Sequence, residues 1–84
     1  MTSFVFTEDA KQIFLKLEAS IRQRIEEKLK ELRGYHDERS ISMLHDAAPA
    51  THRLRVGDYR LILMRKDNDS FFVIDVGHRS KIYQ

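Results

Sequence analysis

The chain has 84 residues, of which 42% are hydrophobic and 33% charged, with a formal net charge of +2 and no cysteine. A chain of this length forms one small domain around one core, and the absence of cysteine excludes disulfides and thiolate metal sites. No apolar run approaches the roughly 18 residues that span a bilayer, and the N-terminus lacks a signal-peptide pattern, so we expect a cytoplasmic protein without a membrane partner.

The N-terminal segment predicts a strand followed by a helix. Ser3 to Phe6 is a short run rich in β-favouring residues, and the hydroxyl of Thr7 is placed to cap a helix with acidic residues in its first turn. Apolar residues then recur at helical spacing: Ala10, Ile13, Phe14 and Leu17. We therefore expect this helix to bury one face.

A second helix is predicted after the first. Ser20 and Gln23 have the spacing of a capping box, and Gly34 is a natural C-terminal stop. Four apolar residues between them define the buried face: Ile21, Ile25, Leu29 and Leu32. Two antiparallel helices follow from this pattern.

A mostly polar linker from Tyr35 to Thr51 separates the helices from the C-terminal part. It contains the single proline of the chain, Pro49, and two apolar residues that we expect to pack a loop or a short turn onto the core, Met43 and Leu44.

Three apolar stretches after the linker predict an antiparallel meander. Gly57 and Asp58 form a tight turn between the first two, which pairs Arg55 with Arg60 and Leu54 with Leu61. A four-residue loop, Asp67 to Ser70, joins the last two and sets the predicted pairs Leu63–Ile74 and Arg65–Phe72. Alternation then places seven residues on the face that receives the helices: Leu54, Val56, Tyr59, Leu61, Leu63, Ile74 and Val76.

The opposite face of this meander collects cations. The predicted register brings together Arg53, Arg55, Arg60 and Arg79, with Asp75 diagonal to Arg60 as an orienting carboxylate. Directly opposed like charges weaken a sheet by up to about 1 kcal/mol. Such a cluster is either a solvated surface or a site for an anion, and the forked donors of guanidinium favour phosphate, as in a phosphodiester.

The predicted fold is α+β, a single domain over residues 1–84 in the order β-α-α-β-β-β. Two antiparallel helices pack on one face of a mainly antiparallel four-stranded sheet. The other face carries Ile62, Met64 and Val73 beside the arginines, and exposed apolar residues next to a charged site predict a protein partner that binds there.

The stretches HRLRVGDYRLIL (52–63) and VIDVGHRSKIY (73–83) resemble the second half of the RelE/ParE superfamily of toxins from type II toxin-antitoxin systems. The predicted order of elements also resembles that superfamily, so the likeness extends over essentially the whole chain. Toxins similar to RelE cut messenger RNA in the ribosomal decoding site without a metal, whereas toxins similar to ParE poison DNA gyrase.

The resemblance implies roles for individual residues. Arg60, Arg79 and Tyr83 match catalytic positions of RelE, and Arg53 and Arg55 match two basic positions where RelE has lysines. The expected RNA-binding residues are Arg53, Arg55 and Lys81. A guanidinium does not release its proton near neutral pH, so we expect Tyr83 to transfer the proton, with His78, His52 and Lys81 as alternatives.

The implied function is a ribosome-dependent endoribonuclease that needs no cofactor. In this reaction the ribose 2′-OH attacks the adjacent phosphate. The implied partners are a cognate antitoxin, the ribosome and its mRNA, with operator DNA bound only through the antitoxin. Two alternatives stay open: a ParE-like inhibitor of DNA gyrase without enzymatic activity, and an inactive relative that acts only as an antitoxin-bound co-repressor. The spacing of the histidines and carboxylates predicts no metal site.

Overall fold

The computed structural model describes residues 2–34 and 41–82. The elements in chain order are β1 (Ser3–Phe6), α1 (Glu8–Leu15), α2 (Ala19–Gly34), β2 (Ile41–Met43), β3 (His52–Val56), β4 (Tyr59–Asp67) and β5 (Ser70–His78). The strands form one sheet in the order β1-β5-β4-β3-β2, in which β1 and β5 are parallel and the other neighbours antiparallel. Neither helix within these ranges is long and apolar enough to cross a bilayer.

The predicted step from β1 into α1 is confirmed. Thr7 is the N-cap, and its Oγ1 accepts a hydrogen bond of 3.2 Å from the amide of Ala10. The amide of Thr7 donates to the carbonyl of Val73 at 3.0 Å, so the cap is fixed to the end of the parallel β1–β5 pair. Ala10 is fully buried, which places α1 against the sheet.

The predicted start of α2 at a Ser20 capping box is wrong. The helix begins at Ala19, and the carbonyl of Glu18 already accepts from the amides of Ile21 and Arg22. Ser20 therefore lies inside the first turn. The guanidinium of Arg22 donates to the carbonyl of Leu15, the last residue of α1, and to that of Leu17 in the connection, and these contacts join the two helices. The predicted apolar face is confirmed, with Ile25, Leu29 and Leu32 buried.

The sheet has five strands where four were predicted. β2 pairs with the outer side of β3, and Ser42 stands opposite Arg53. The predicted packing of Met43 onto the core is wrong, because 67% of this residue is exposed. Leu44 is half-buried, and its amide donates to the carbonyl of Thr51. Residues 35–40 of the predicted linker lie outside the described residues.

The hairpin between β3 and β4 has the predicted register. Arg55 pairs with Arg60 and Leu54 with Leu61 across the turn. Gly57 has φ of 59°, a left-handed conformation that glycine adopts without steric cost, and this explains the residue at the turn.

The hairpin between β4 and β5 has the predicted register only at the end away from its turn, from Tyr59 to Ile62. The strands are joined by a two-residue turn, with Asp67 opposite Ser70, so the four-residue loop was wrong. Arg60 pairs with Gly77 as predicted, but the register then shifts after Ile62, which pairs with Asp75. An extra residue in one strand lets two residues oppose one, and such a bulge moves the following side chains to the other face.

The bulge changes which residues of β5 enter the core. Val73 pairs with Leu63 and is fully buried, whereas Ile74 has no partner in the ladder and is only half-buried. Two predictions were therefore wrong: that Ile74 is in the core, and that Val73 lies on the face turned away from the helices. The core comprises Phe4, Ala10, Ile25, Leu29, Leu32, Leu54, Val56, Leu61, Leu63, Phe71, Val73 and Val76.

Candidate functional site

The sheet face turned away from the helices carries a group of arginines at the end nearest Gly57. We call this group the arginine face and define it as Arg53, Arg55, Arg60 and Arg79. Arg55 and Arg60 are direct cross-strand partners, and Arg53 precedes Arg55 by two residues on the same side of β3. Arg79 follows the end of β5, and its amide donates to the carbonyl of Asp58 at 2.7 Å. The hairpin turn thereby fixes the start of the segment after β5.

Arg60 is the central residue of the arginine face. Its Nη1 donates to the carbonyls of Gly57 and Tyr59 at 3.0 and 2.9 Å, while its Nε is buried without a hydrogen-bond partner among the described residues. Burial lowers the pKa of Arg60, the cations of Arg53, Arg55 and Arg79 lower it further, and the carboxylate of Asp58 opposes them. The four predicted arginines thus lie close enough to repel one another.

Asp58 brings a carboxylate to this cluster. Its Oδ1 lies 3.6 Å from Nε of Arg79, and both side chains are mostly exposed. The predicted orienting partner, Asp75, is instead engaged with its own strand, because its Oδ1 accepts from the amide of Val76 at 2.8 Å. The sequence identified Asp58 only as a turn residue, and its place beside two arginine-bearing strand ends was the signal that could have revealed this contact.

A fifth arginine, which the sequence did not single out, approaches from α2. A Cβ added to Gly57 would lie only 2.8 Å from Nη2 of Arg24, so the guanidinium rests on the turn where the side chain is absent. Arg24 and Arg55 also line one cleft between α2 and β3. Helix periodicity marks Arg24 as a surface residue and gives no sign of this tertiary placement.

The segment after β5 turns back along the arginine face. The amides of Lys81 and Ile82 both donate to the carbonyl of His78. Ile82 packs against Gly77, where an added Cβ would lie 3.3 Å from its side chain, and Gly77 is the cross-strand partner of Arg60. Lys81 is exposed. The predicted catalytic Tyr83 lies outside the described residues.

The two histidines proposed for proton transfer lie on the helix side of the sheet. His78 pairs with Tyr59, its ring meets the tyrosine ring edge-on, and its Nδ1 accepts from the amide of Ser80. His52 is buried three residues before Arg55, with its ring against Phe71. Burial lowers the pKa of His52, and the charge of Arg65 lowers it further. Their positions do not support a proton-transfer role on the arginine face.

The sheet face turned away from the helices, which we call the open face, continues from the arginines into an apolar area. Ile62, Met64 and Phe72 are half-buried on it, and Val5 at the sheet edge is 44% exposed. Of the three residues predicted for partner binding, Ile62 and Met64 lie here, and the fully buried Val73 does not. A cationic cluster therefore borders an apolar surface on one side of the sheet.

This arrangement is suited to a polyanion. Several guanidinium groups on one rigid sheet can each donate forked hydrogen bonds to phosphate oxygens, and bound negative charge would relieve their mutual repulsion. Within residues 2–34 and 41–82, no three His, Asp or Glu side chains form a group that could hold a metal ion.

A comparison with protein families finds a match that covers almost the whole chain. The model of the ParE toxin of the type II toxin-antitoxin system parDE matches residues 4–83. Among curated proteins, no sequence matches the chain.

Solved structures of RelE toxins have the same fold. The RelBE2 toxin-antitoxin complex from Mycobacterium tuberculosis matches with a TM-score of 0.74 and 26% identity over 93% of this chain and 98% of that one. The isolated RelE toxin of E. coli matches with a TM-score of 0.68 and 26% identity over 93% and 84% of the two chains. The RelB-RelE complex from Methanococcus jannaschii gives 0.71 and 22% over 94% of both chains, which supports the fold alone.

Proposed function

We propose a function from one premise: the chain belongs to the ParE toxin family of type II toxin-antitoxin systems. The proposal is that it inhibits translation by cutting messenger RNA on the ribosome, as the RelE branch of the superfamily does. The observation that supports it is the arginine face, in which Arg55 and Arg60 are direct cross-strand partners and Arg53 lies on the same side of β3.

The arginine face can do two things in RNA cleavage: stabilise the charge of the reacting phosphate and bind the neighbouring phosphates. Attack of a ribose 2′-OH on the adjacent phosphorus adds negative charge to the phosphate, and guanidinium groups held in place stabilise that charge. Arg60 and Arg79 are assigned this role, while Arg53, Arg55 and Lys81 bind neighbouring phosphates. The hydrogen bonds from Nη1 to the carbonyls of Gly57 and Tyr59 hold the guanidinium of Arg60 in place for this role.

Proton transfer is assigned to Tyr83. An arginine cannot act as an ordinary base near neutral pH, and both histidines face the helix side of the sheet. The tyrosine follows Ile82, which packs beside the partner of Arg60. We expect Tyr83→Phe, which removes only the hydroxyl, to slow cleavage by about 10² with little change in ribosome affinity, the usual scale for general acid-base catalysis.

The proposed protein partner is a cognate antitoxin that covers the open face. The related RelBE2 and RelB-RelE structures are toxin-antitoxin complexes. An antitoxin segment with apolar and acidic side chains would cover Ile62 and Met64 and neutralise the arginines at the same time. Operator DNA would be bound through the antitoxin.

Inhibition of DNA gyrase is a second candidate function, because the family model that matches the chain is that of ParE. In this case the arginine face would be a surface for protein binding, and no RNA would be cut. A co-repressor role with the antitoxin is the outcome if neither target is affected.

The order in which cellular processes stop tests the proposed function. After induction of the chain without an antitoxin, incorporation of labelled methionine and of labelled thymidine is followed over the first minutes. We expect protein synthesis to stop first and Arg60→Ala to abolish the effect. Earlier arrest of DNA synthesis would favour the gyrase function, and normal growth would favour the co-repressor function.

A further inference from the structure

Asp58 contacts Arg79 at two points. The backbone carbonyl of Asp58 accepts from the amide of Arg79 at 2.7 Å, and its carboxylate lies 3.6 Å from Nε of the same residue. The β3–β4 turn and the segment after β5 are therefore joined by a backbone bond and an ion pair. Among the described residues, the carboxylate is engaged with Arg79 rather than with the amides of its own turn.

The side chain of Arg79 needs such a contact to stay near the other arginines. It is 62% exposed, and its charge and that of Arg60 repel each other, which raises the cost of holding it there. An exposed arginine loses little by swinging into solvent, where its charge is screened. The carboxylate of Asp58 attracts the guanidinium of Arg79 toward the turn and so opposes its movement into solvent.

We propose that Asp58 is a positioning residue, which holds the Arg79 guanidinium within the arginine face so that it can stabilise the phosphate during cleavage. This inference rests on the proposed function. It assigns to Asp58 a role in the reaction without contact with the RNA, through the orientation of Arg79.

The variant Asp58→Asn separates positioning from simple electrostatics. It retains the backbone carbonyl and nearly the same shape, and removes one negative charge beside the RNA-binding surface. If charge alone mattered, the variant would bind ribosomes more tightly and cleave at least as fast, since phosphate binding strengthens with positive charge. If Asp58 positions Arg79, cleavage slows although binding does not weaken.

We expect single-turnover cleavage on mRNA-programmed ribosomes to fall about tenfold or more in Asp58→Asn, with ribosome affinity unchanged or higher. The matched control is Asp69→Asn, which removes the same charge in the exposed β4–β5 turn at the other end of the sheet and should cleave like the parent. An unchanged or faster rate in Asp58→Asn, or an equal loss in Asp69→Asn, would overturn the proposal.

A second comparison shows whether the effect passes through Arg79. In an Arg79→Ala background, Asp58→Asn should cause no further loss of rate, because the group that it positions is gone. Full additivity of the two losses would mean that Asp58 acts by another route and would contradict the inference.

The same positioning can be measured without cleavage, which keeps this inference distinct from the proposed function. In a ¹⁵N-labelled Tyr83→Phe chain, chosen for its low activity, the order parameter of the Arg79 Nε–H group should fall when Asp58 is replaced by Asn. An unchanged order parameter overturns the inference. A parent that cuts no RNA, with the order parameter still falling, overturns the proposed function and leaves Asp58 as the residue that orders Arg79.

Discussion

Arg60 has two properties expected of a catalytic cation. Its hydrogen bonds to backbone carbonyls fix it to its own turn, and three neighbouring cations repel its charge. We expect Arg60→Ala to reduce cleavage by about 10² to 10³, the usual loss on removal of a group that stabilises a developing oxyanion. Stability should change by less than about 1 kcal/mol, since relief of like-charge repulsion offsets the lost hydrogen bonds.

The matched control for Arg60 is Arg65→Ala. Arg65 lies on the same strand, outside the arginine face, with its Cζ 4.7 Å above the ring of Phe71. It should keep the parental cleavage rate. Measurement of melting temperature beside cleavage separates the two roles, because a large drop in melting temperature with normal cleavage would make Arg60 structural.

His52 predicts how stability depends on pH. Burial lowers its pKa below the ordinary value of 6.5, so the unfolded chain takes up the proton at a higher pH than the folded chain does. Stability from the neutral ring is complete above pH 6.5 and is lost as the pH falls below that value toward the folded pKa. Urea denaturation between pH 7.5 and 5 should show a smaller loss for His52→Gln than for the parent. Equal slopes would contradict this assignment.

At the scale of elements, the β3–β4 hairpin could be predicted because two local signals agree. Arginines alternate with apolar residues on both sides of Gly57, and the turn residues allow only one pairing. Three arginines of the site, Arg53, Arg55 and Arg60, followed directly from that register. The contact between Asp58 and Arg79 did not, because it depends on where β5 ends.

The β4–β5 pairing was predicted only in part, because β5 is apolar at both alternations. Phe71 and Val73 compete with Phe72 and Ile74 for the core, so a period of two gives no preferred face. Strand β2 was missed because three residues in a polar linker carry little pattern. The start of α2 was misplaced by one residue because the carbonyl of Glu18 already accepts from the amides of Ile21 and Arg22, which the spacing of Ser20 and Gln23 does not reveal.

The bulge makes a prediction about stability. Val73→Ala should cost about 2 kcal/mol, because the side chain is fully buried, and lower the melting temperature by about 8–16 °C for a domain of this size. Ile74→Ala removes more atoms from a half-buried side chain and should cost less. Thermal unfolding of both variants checks the register. A larger loss of melting temperature in Ile74→Ala than in Val73→Ala would indicate a regular pairing without a bulge.

At the scale of the whole molecule, the two faces of the sheet are unequal. The helices cover one face and bury most of the core, while the other carries the arginine face and the apolar area around Met64. Met64→Asp should therefore weaken antitoxin binding at least tenfold and leave the fold intact. The control is Ile13→Asp on α1, which is 39% exposed on the helix side. Equal weakening by both variants, measured by calorimetry, would show that the antitoxin does not select the open face.

The central claim is that the arginine face promotes attack of a ribose 2′-OH on the neighbouring phosphate of ribosome-bound mRNA. Its most direct test is the chemical end left on the upstream RNA fragment when the purified chain is mixed with programmed ribosomes in the presence of a chelator. We expect a 2′,3′-cyclic phosphate at a single site in the decoding centre, and no cutting of the same RNA without ribosomes. Intact mRNA, or an upstream fragment that ends in a free 3′-hydroxyl, would contradict it.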